Sequence, residues 1–234
     1  MSSILATSAV TLLGTLMAGG AWAEPRPAVF ELYTSEGCSS CPPAEAIVAG
    51  LAQRTDVLPL SFHVDYWDEQ GWHDRFSLSD ATRRQRIYAS KLHRGSVYTP
   101  QAIVDGTADL VANQPSVVSE LTAARDGVAI RGAIEQGYLT LSVAAQPGFK
   151  SSDVMLVGFL RQASTHIGRG ENSGLTIQEF NIVRSIRRLG SWDGRACSFR
   201  VALSSLPKDA THAAILVQTK GQGSIVGATS LRIG

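Results

Sequence analysis

The 234-residue chain carries 21 basic and 20 acidic side chains, for a formal net charge of +1. That balance removes the electrostatic reason to expect nucleic acid or an anionic membrane surface as a partner. Of its three cysteines, Cys38 and Cys41 lie together and Cys197 stands far away, so no second cysteine pair exists to complete a four-ligand structural zinc site.

The first 23 residues contain no charged side chain. An apolar run ends in the small-x-small tripeptide Ala21-Trp22-Ala23, which reads as a secretory signal cleaved after Ala23. The expected mature chain is then periplasmic or secreted. Thr7, Ser8, Thr11, Gly14 and Thr15 interrupt the run, whereas a membrane span needs roughly 20 mostly apolar residues. No later segment is long and apolar enough to span, so the mature chain is expected to be soluble.

Ala28 to Tyr33 reads as a strand, followed by a polar turn from Thr34 to Gly37 that leads into Cys38-Ser39-Ser40-Cys41. Ala44, Ile47, Val48 and Leu51 then fall on one stripe of an amphipathic helix. Val57 to Tyr66 alternates as a second strand. A capping box, Ser77-x-x-Asp80, predicts the start of a second helix that stops at Gly95. Gln101 to Val104, Asp105-Gly106 and Thr107 to Val111 read as a hairpin on a tight turn. Pro115 can open a third helix, with Val117, Val118 and Leu121 on one face. The order is βαβαββα: a parallel pair joined by a helix, then an antiparallel pair.

Beyond Ala129 the pattern changes to all strands: Leu139 to Ala144, Val154 to Leu160, Ile177 to Ile186, Cys197 to Leu203, Ala213 to Val217 and Ile225 to Ile233. Gly, Pro, Asn and Asp separate them, as in a β-sandwich or small barrel. The expected organisation is a signal over 1–23, an α/β domain with a four-stranded mixed sheet over 24–129, and a sandwich-like β domain over 130–234, as separate hydrophobic units.

Two cysteines three apart between a strand and a helix can place a sulfur at the helix N-terminus. Unpaired N–H groups and the helix dipole there stabilise a thiolate. Cys38 is then the exposed attacker and Cys41 the resolving thiol, while Glu36 would oppose thiolate formation if close. Other readings compete. A structural disulfide closing so short a loop stabilises little, about 2 kcal/mol in the chain-entropy model. A c-type haem site is excluded because Pro42 follows Cys41 where a histidine is needed. Copper(I) held by two thiolates with His63 or His73 stays open on ligand type.

The element order with Cys-x-x-Cys after the first strand resembles the thioredoxin superfamily in its glutaredoxin-like minimal form. Gly95-Ser-Val-Tyr-Thr99-Pro100-Gln101 stands where that superfamily carries its cis-proline. The resemblance implies that Pro100 is cis, faces the dithiol, and with Tyr98 and Thr99 forms the substrate-binding edge. A closer similarity is to an uncharacterised family of exported thioredoxin-like proteins, known only as a domain of unknown function. It rests on Tyr33-Thr-Ser-Glu-Gly-Cys-Ser-Ser-Cys41-Pro-Pro-Ala44, His63-Val-Asp65-Tyr66-Trp67-Asp68, Gly71-Trp72, Val97 to Gly106, Gly170-Glu171-Asn172-Ser-Gly174 and Asn181-Ile-Val-Arg184. Ser-Ser between the cysteines, and no Trp before Cys38, depart from true thioredoxins and leave the direction of the redox reaction open.

His63 and Asp65 share a strand face near the dithiol, as candidates for proton transfer or as strand-end caps. Trp67, Trp72 and Tyr66 are expected to cover the site or to form satellite core. Arg184, Arg187 and Arg188 read as a solvated face, Cys197 as a buried apolar thiol, and Glu171 and Asn172 as turn residues. The expected function is an exported thiol–disulfide oxidoreductase without metal or other cofactor, acting on protein or small-molecule thiols and disulfides. The alternative is a non-enzymatic binding module with a structural disulfide or a copper(I)-binding dithiol.

Overall fold

The computed structural model describes residues 24–114, 116–121, 125–149 and 151–234. The expected signal segment and the helix start at Pro115 lie outside the described residues. The first half contains β1 (Glu24–Pro25), β2 (Ala28–Thr34), α1 (Pro42–Leu51), β3 (Val57–His63), α2 (Ser79–Lys91), β4 (Gln101–Val104), β5 (Ala108–Val111), α3 (Ser116–Ser119) and β6 (Asp126–Gly127). The second contains β7 (Ile130–Glu135), β8 (Tyr138–Val143), β9 (Ser152–His166), β10 (Thr176–Trp192), β11 (Cys197–Ala202), β12 (His212–Thr219) and β13 (Ile225–Arg232).

β2 and β3 pair in parallel, and β4 and β5 follow on the other side of β2 as an antiparallel hairpin. Asp105 and Gly106 both take positive φ, 49° and 73°, the backbone that a tight I′-type turn demands. The sheet does not stop at β3. β10 pairs parallel to it at Ile182 and Ser61, and the full order is β13-β12-β9-β10-β3-β2-β4-β5. The expected division into separate hydrophobic units near residue 130 is therefore corrected at the level of the sheet. The reason lies in β3, whose seven residues are all buried, so its outer edge must be covered by another strand.

Alternation along the strands sorts the core. One face of the sheet, with Val29, Leu60, Phe62, Val157, Phe159, Ala214 and Leu216, packs against Ala81 and Tyr88 of α2. On the other face, Phe30, Leu32, Ala102 and Val104 meet Ala44, Val48 and Leu51 of α1. Farther along that face, Val154, Leu156, Ala213, Ile215 and Val217 pack against Leu139, Leu141, Val143 and Val201 of the separate β11-β8-β7 sheet. The second half is thus sandwich-like, but one of its two layers is the shared eight-stranded sheet.

Two helix boundaries differ from expectation. α2 starts at Ser79 with Leu78 as its unassisted N-cap, because the Ser77 hydroxyl donates to Asp68 instead, at 2.7 Å. It ends at Lys91, and His93, not Gly95, takes the left-handed conformation (φ 54°). No helix among the described residues is long and apolar enough to cross a membrane.

Candidate functional site at the Cys38–Cys41 pair

Cys38 and Cys41 form a disulfide in the turn between β2 and α1, with Cα atoms 5.4 Å apart. Cys41 is the N-cap of α1, and Pro42 and Pro43 occupy its first two positions. The prolines carry no N–H, and the amides of Ala44 and Glu45 both donate to the Cys41 carbonyl, at 2.9 and 3.2 Å. No free amide of this first turn is left to bind a thiolate. The expected stabilisation by unpaired N–H groups is absent, and only the helix dipole remains. The Cys38 sulfur instead lies 3.3 Å from the Ser40 hydroxyl.

The expected exposure of Cys38 is also corrected. Cys38 is 0% and Cys41 1% accessible, while Ser39 and Ser40 between them face solvent. Residues from the far half of the chain are bonded to this turn. Asn172, in the loop between β9 and β10, donates from its amide to the carbonyls of Glu36 (2.9 Å) and Cys38 (3.0 Å). The Glu171 carboxylate accepts from the Ser39 amide at 3.3 Å. Both residues thus hold the cysteine turn rather than serving their own loop alone.

The Thr99–Pro100 bond is cis. Its segment adjoins the cysteine turn: the Ser40 hydroxyl donates to the Thr99 carbonyl at 3.4 Å, and Trp67 donates its indole N–H to the Thr99 hydroxyl at 2.9 Å. Tyr98 points away, its hydroxyl on Asp109. Trp72 donates to the Glu36 carboxylate at 2.7 Å, whereas Tyr66 reaches Gln85 of α2.

Behind the pair, under the first turns of α1, lies a buried polar chamber of Thr34, Glu36, Glu45, Ser61, His63, Asp74, Thr165 and Glu179. His63 Nδ1 donates to Asp74 Oδ2 at 2.7 Å, and the same carboxylate accepts the amides of Glu36 and Phe76. Burial opposes a charge on His63, but the Asp74 carboxylate outweighs it and raises its pKa to about 10. Burial likewise opposes the Asp74 charge, and the imidazolium overcomes it, holding Asp74 below the usual carboxylate range. The remaining acids go the other way. Burial lifts Glu179 to about 8 despite His63, with its Nε2 3.8 Å away. Burial and the Asp74 charge raise Glu36, and burial raises Glu45 against the His63 field. Thr34 Oγ1, Glu36 Oε1, both Glu45 oxygens, Ser61 Oγ and His63 Nε2 make no well-formed hydrogen bond to any described residue.

A search of curated proteins finds no match. The family model described as "Protein of unknown function (DUF1223)" matches residues 29–218. The chain belongs to this family. Among solved structures, a crystallised protein of Agrobacterium tumefaciens is 29% identical with a TM-score of 0.78, over 89% of this chain and 95% of that one. HBP35 of Porphyromonas gingivalis is 14% identical with a TM-score of 0.62, over 89% of this chain and 76% of that one, and shows likeness of fold alone.

The remaining residues singled out in this DUF1223 chain lie elsewhere. Asp65 is tied to α2 through Thr82, whose hydroxyl donates to its carboxylate at 2.5 Å and accepts its amide at 3.0 Å, and it is not joined to His63. His73 is largely exposed against Asp68. Among the described residues no group of three or more His, Cys, Asp or Glu is arranged to hold a metal, so copper(I) gains no third ligand. Arg184 and Arg188 pair with Asp209 and Asp153, and Arg187 donates to Ser205. Cys197 is half-buried on a cavity of about 390 Å³ between β7, β8 and β11, its thiol pKa raised by burial and the Asp193 charge. Sequence reasoning passed over Glu45, Asp74 and Glu179. A readable signal existed for two: Glu179 shares a strand face with Ile177, and Glu45 stands on the apolar stripe of α1 with Val48.

Proposed function

We propose that this chain is an exported, thioredoxin-like thiol–disulfide oxidoreductase in which Cys38 is attacked by or attacks the partner sulfur and Cys41 resolves the mixed disulfide. The observation that carries the reading is the Cys38–Cys41 disulfide at the entrance of α1, beside the cis Thr99–Pro100 bond. The βαβαββα order and the β3-β2-β4-β5 part of the sheet support it, as does the chamber of buried acids and His63 behind the pair, which supplies groups that can exchange protons at the face away from solvent. Thr99 and Pro100 align the partner peptide, and Trp67 holds the Thr99 side chain.

The environment of Cys38 bears on direction. Its helix turn offers no free amide, and Glu36 and Glu171 lie close by in the same network, so a thiolate is weakly stabilised. Weak thiolate stabilisation favours the oxidised pair over the reduced one, which makes the reduced protein a donor of electrons rather than a strong oxidant. The burial of both sulfurs is the observation that favours a second reading, a structural disulfide.

Trapping separates the two. Replacing Cys41 with Ser leaves Cys38 unable to release a partner, so Cys41→Ser is expected to accumulate mixed disulfides in an export-compartment extract, seen on a non-reducing gel. Cys38→Ser is expected to trap nothing. A Cys41→Ser variant that stays free of partners under the same conditions contradicts catalysis and leaves the structural disulfide.

A further inference from the structure

The inaccessible disulfide poses a mechanical problem. A thiolate must approach a sulfur along the S–S axis, and neither sulfur is open to solvent. Thr99 and Asn113 touch the turn at Ser40, while the segment bonded to Glu36, Cys38 and Ser39 is the tip of the β9–β10 hairpin, residues 168–174. Its neck is fixed by two backbone bonds, Ile167 N to Leu175 O at 2.9 Å and Gly174 N to Ile167 O at 2.8 Å. Beyond that neck the tip bonds within itself, Ser173 N to Gly170 O at 3.2 Å and the Ser173 hydroxyl to Gly168 O at 3.3 Å, and outward through Glu171, which accepts the Ser39 amide at 3.3 Å. Gly170 (φ 78°) seats on Gly71 and Trp72, and Gly174 (φ 86°) completes the turn. Asn172 is only 3% accessible, and both of its amide bonds go to main-chain carbonyls of the cysteine turn. A buried side chain whose every bond ends on another loop acts as a latch, not as part of its own turn.

We infer that Asn172 is a positioning residue that holds the Cys38–Cys41 disulfide out of reach, and that the β9–β10 tip must lift before Cys38 can be attacked. The inference deepens the oxidoreductase reading and rests on it, but its test needs only a small reductant. A dithiothreitol thiolate attacks Cys38 Sγ. The Cys38–Cys41 bond breaks, and its electron pair leaves on Cys41 Sγ, which takes up a proton. The second dithiothreitol thiol then loses its proton, attacks its own half of the mixed disulfide and expels Cys38, which is protonated in turn. Two electrons and two protons pass to the protein, and the reagent ends as its cyclic disulfide.

The experiment is the rate of this reduction in the full mature protein, followed by thiol labelling, with Cys197 as an internal control on the far side of the fold. Asn172→Ala removes both latch bonds and is expected to raise the rate at Cys38–Cys41 about tenfold or more, the scale of losing one or two buried hydrogen bonds. Labelling of Cys197 should not change. Gly170→Ala approaches the same latch from its seat: a Cβ there would lie 3.2 Å from Trp72 Cβ, on a backbone that alanine tolerates poorly. It too should accelerate reduction, and it decides the matter if Asn172→Ala does not fold. Equal rates in wild type and folded variants overturn the latch while leaving the dithiol reading intact. So does a rise matched by faster Cys197 labelling, which is general loosening. Failure of the oxidoreductase reading appears separately, as absence of trapping in Cys41→Ser.

Discussion

Two buried charged clusters lie on opposite faces of the same sheet, and they are built by opposite rules. On the α2 face, Glu31 takes a two-pronged ion pair from Arg84 at 2.6 and 2.8 Å, and the hydroxyls of Tyr33 and Tyr88 donate to the same carboxylate. Gln218 of β12 closes the network by accepting from Arg84 and donating to Tyr88. Every polar group there has partners, and the residues come from β2, α2 and β12, so the network stitches the two halves together. On the α1 face, the chamber behind the disulfide holds four acids to one histidine and leaves six side-chain atoms without a well-formed bond. A saturated network serves folding. An unsaturated one, kept buried at a cost in desolvation, is expected where charge or protons must change during function.

The contrast predicts unequal responses to substitution. Arg84→Ala strands the Glu31 carboxylate in the core and should destabilise the protein by about 3–5 kcal/mol, measured by denaturant unfolding. A loss under about 1 kcal/mol would mean that the network is not the stitch described.

The chamber should announce itself in the pH dependence of stability. His63 keeps its proton to about 10 in the folded chain against 6.5 unfolded, and Glu179 to about 8 against 4.5. In each window the folded protein binds more protons than the unfolded chain, so stability falls as pH rises, most steeply where the windows overlap between 6.5 and 8. Asp74 has the opposite sign: its contribution is present above its unfolded value of 3.8 and is lost as pH falls through its lower folded pKa. Thermal melts should therefore weaken from neutral pH toward 10, and His63→Gln should flatten the part between 8 and 10. An unchanged alkaline slope in that variant would place the proton elsewhere.

The smallest effect is expected at Glu45. Glutamine there removes an acid that burial already keeps protonated more than usual, and neither oxygen is held by a strong bond. Glu45→Gln should move stability by less than about 1 kcal/mol, a shift typical of substitutions that break no network. If it destabilises as much as Arg84→Ala, the two clusters are alike after all.

Much of this was legible from local pattern. The β2–α1 entry to the cysteine pair, the Asp105-Gly106 turn and the strands beyond residue 130 follow from spacing and turn chemistry, which are properties of neighbours in sequence. What sequence did not disclose depends on long-range pairing. The outer edge of β3 is closed by β10, which begins more than a hundred residues later. The same hairpin brings Asn172 and Glu171 onto a turn at residues 36–39. Asp74 gave no sign either, because its role rests on where the Trp67–Phe76 loop folds back, not on periodicity. Ser77 shows the limit of a local signal, since a tertiary partner, Asp68, took the hydroxyl the capping box had assigned.

If the Cys38–Cys41 bond is a working redox couple, its equilibrium reduction potential reports it most directly. Titrated against glutathione or dithiothreitol, the protein should give a value between about −200 and −270 mV, within the range of disulfides that exchange in cells and toward its reducing end. A value below about −300 mV is the mark of a structural disulfide and would contradict the account.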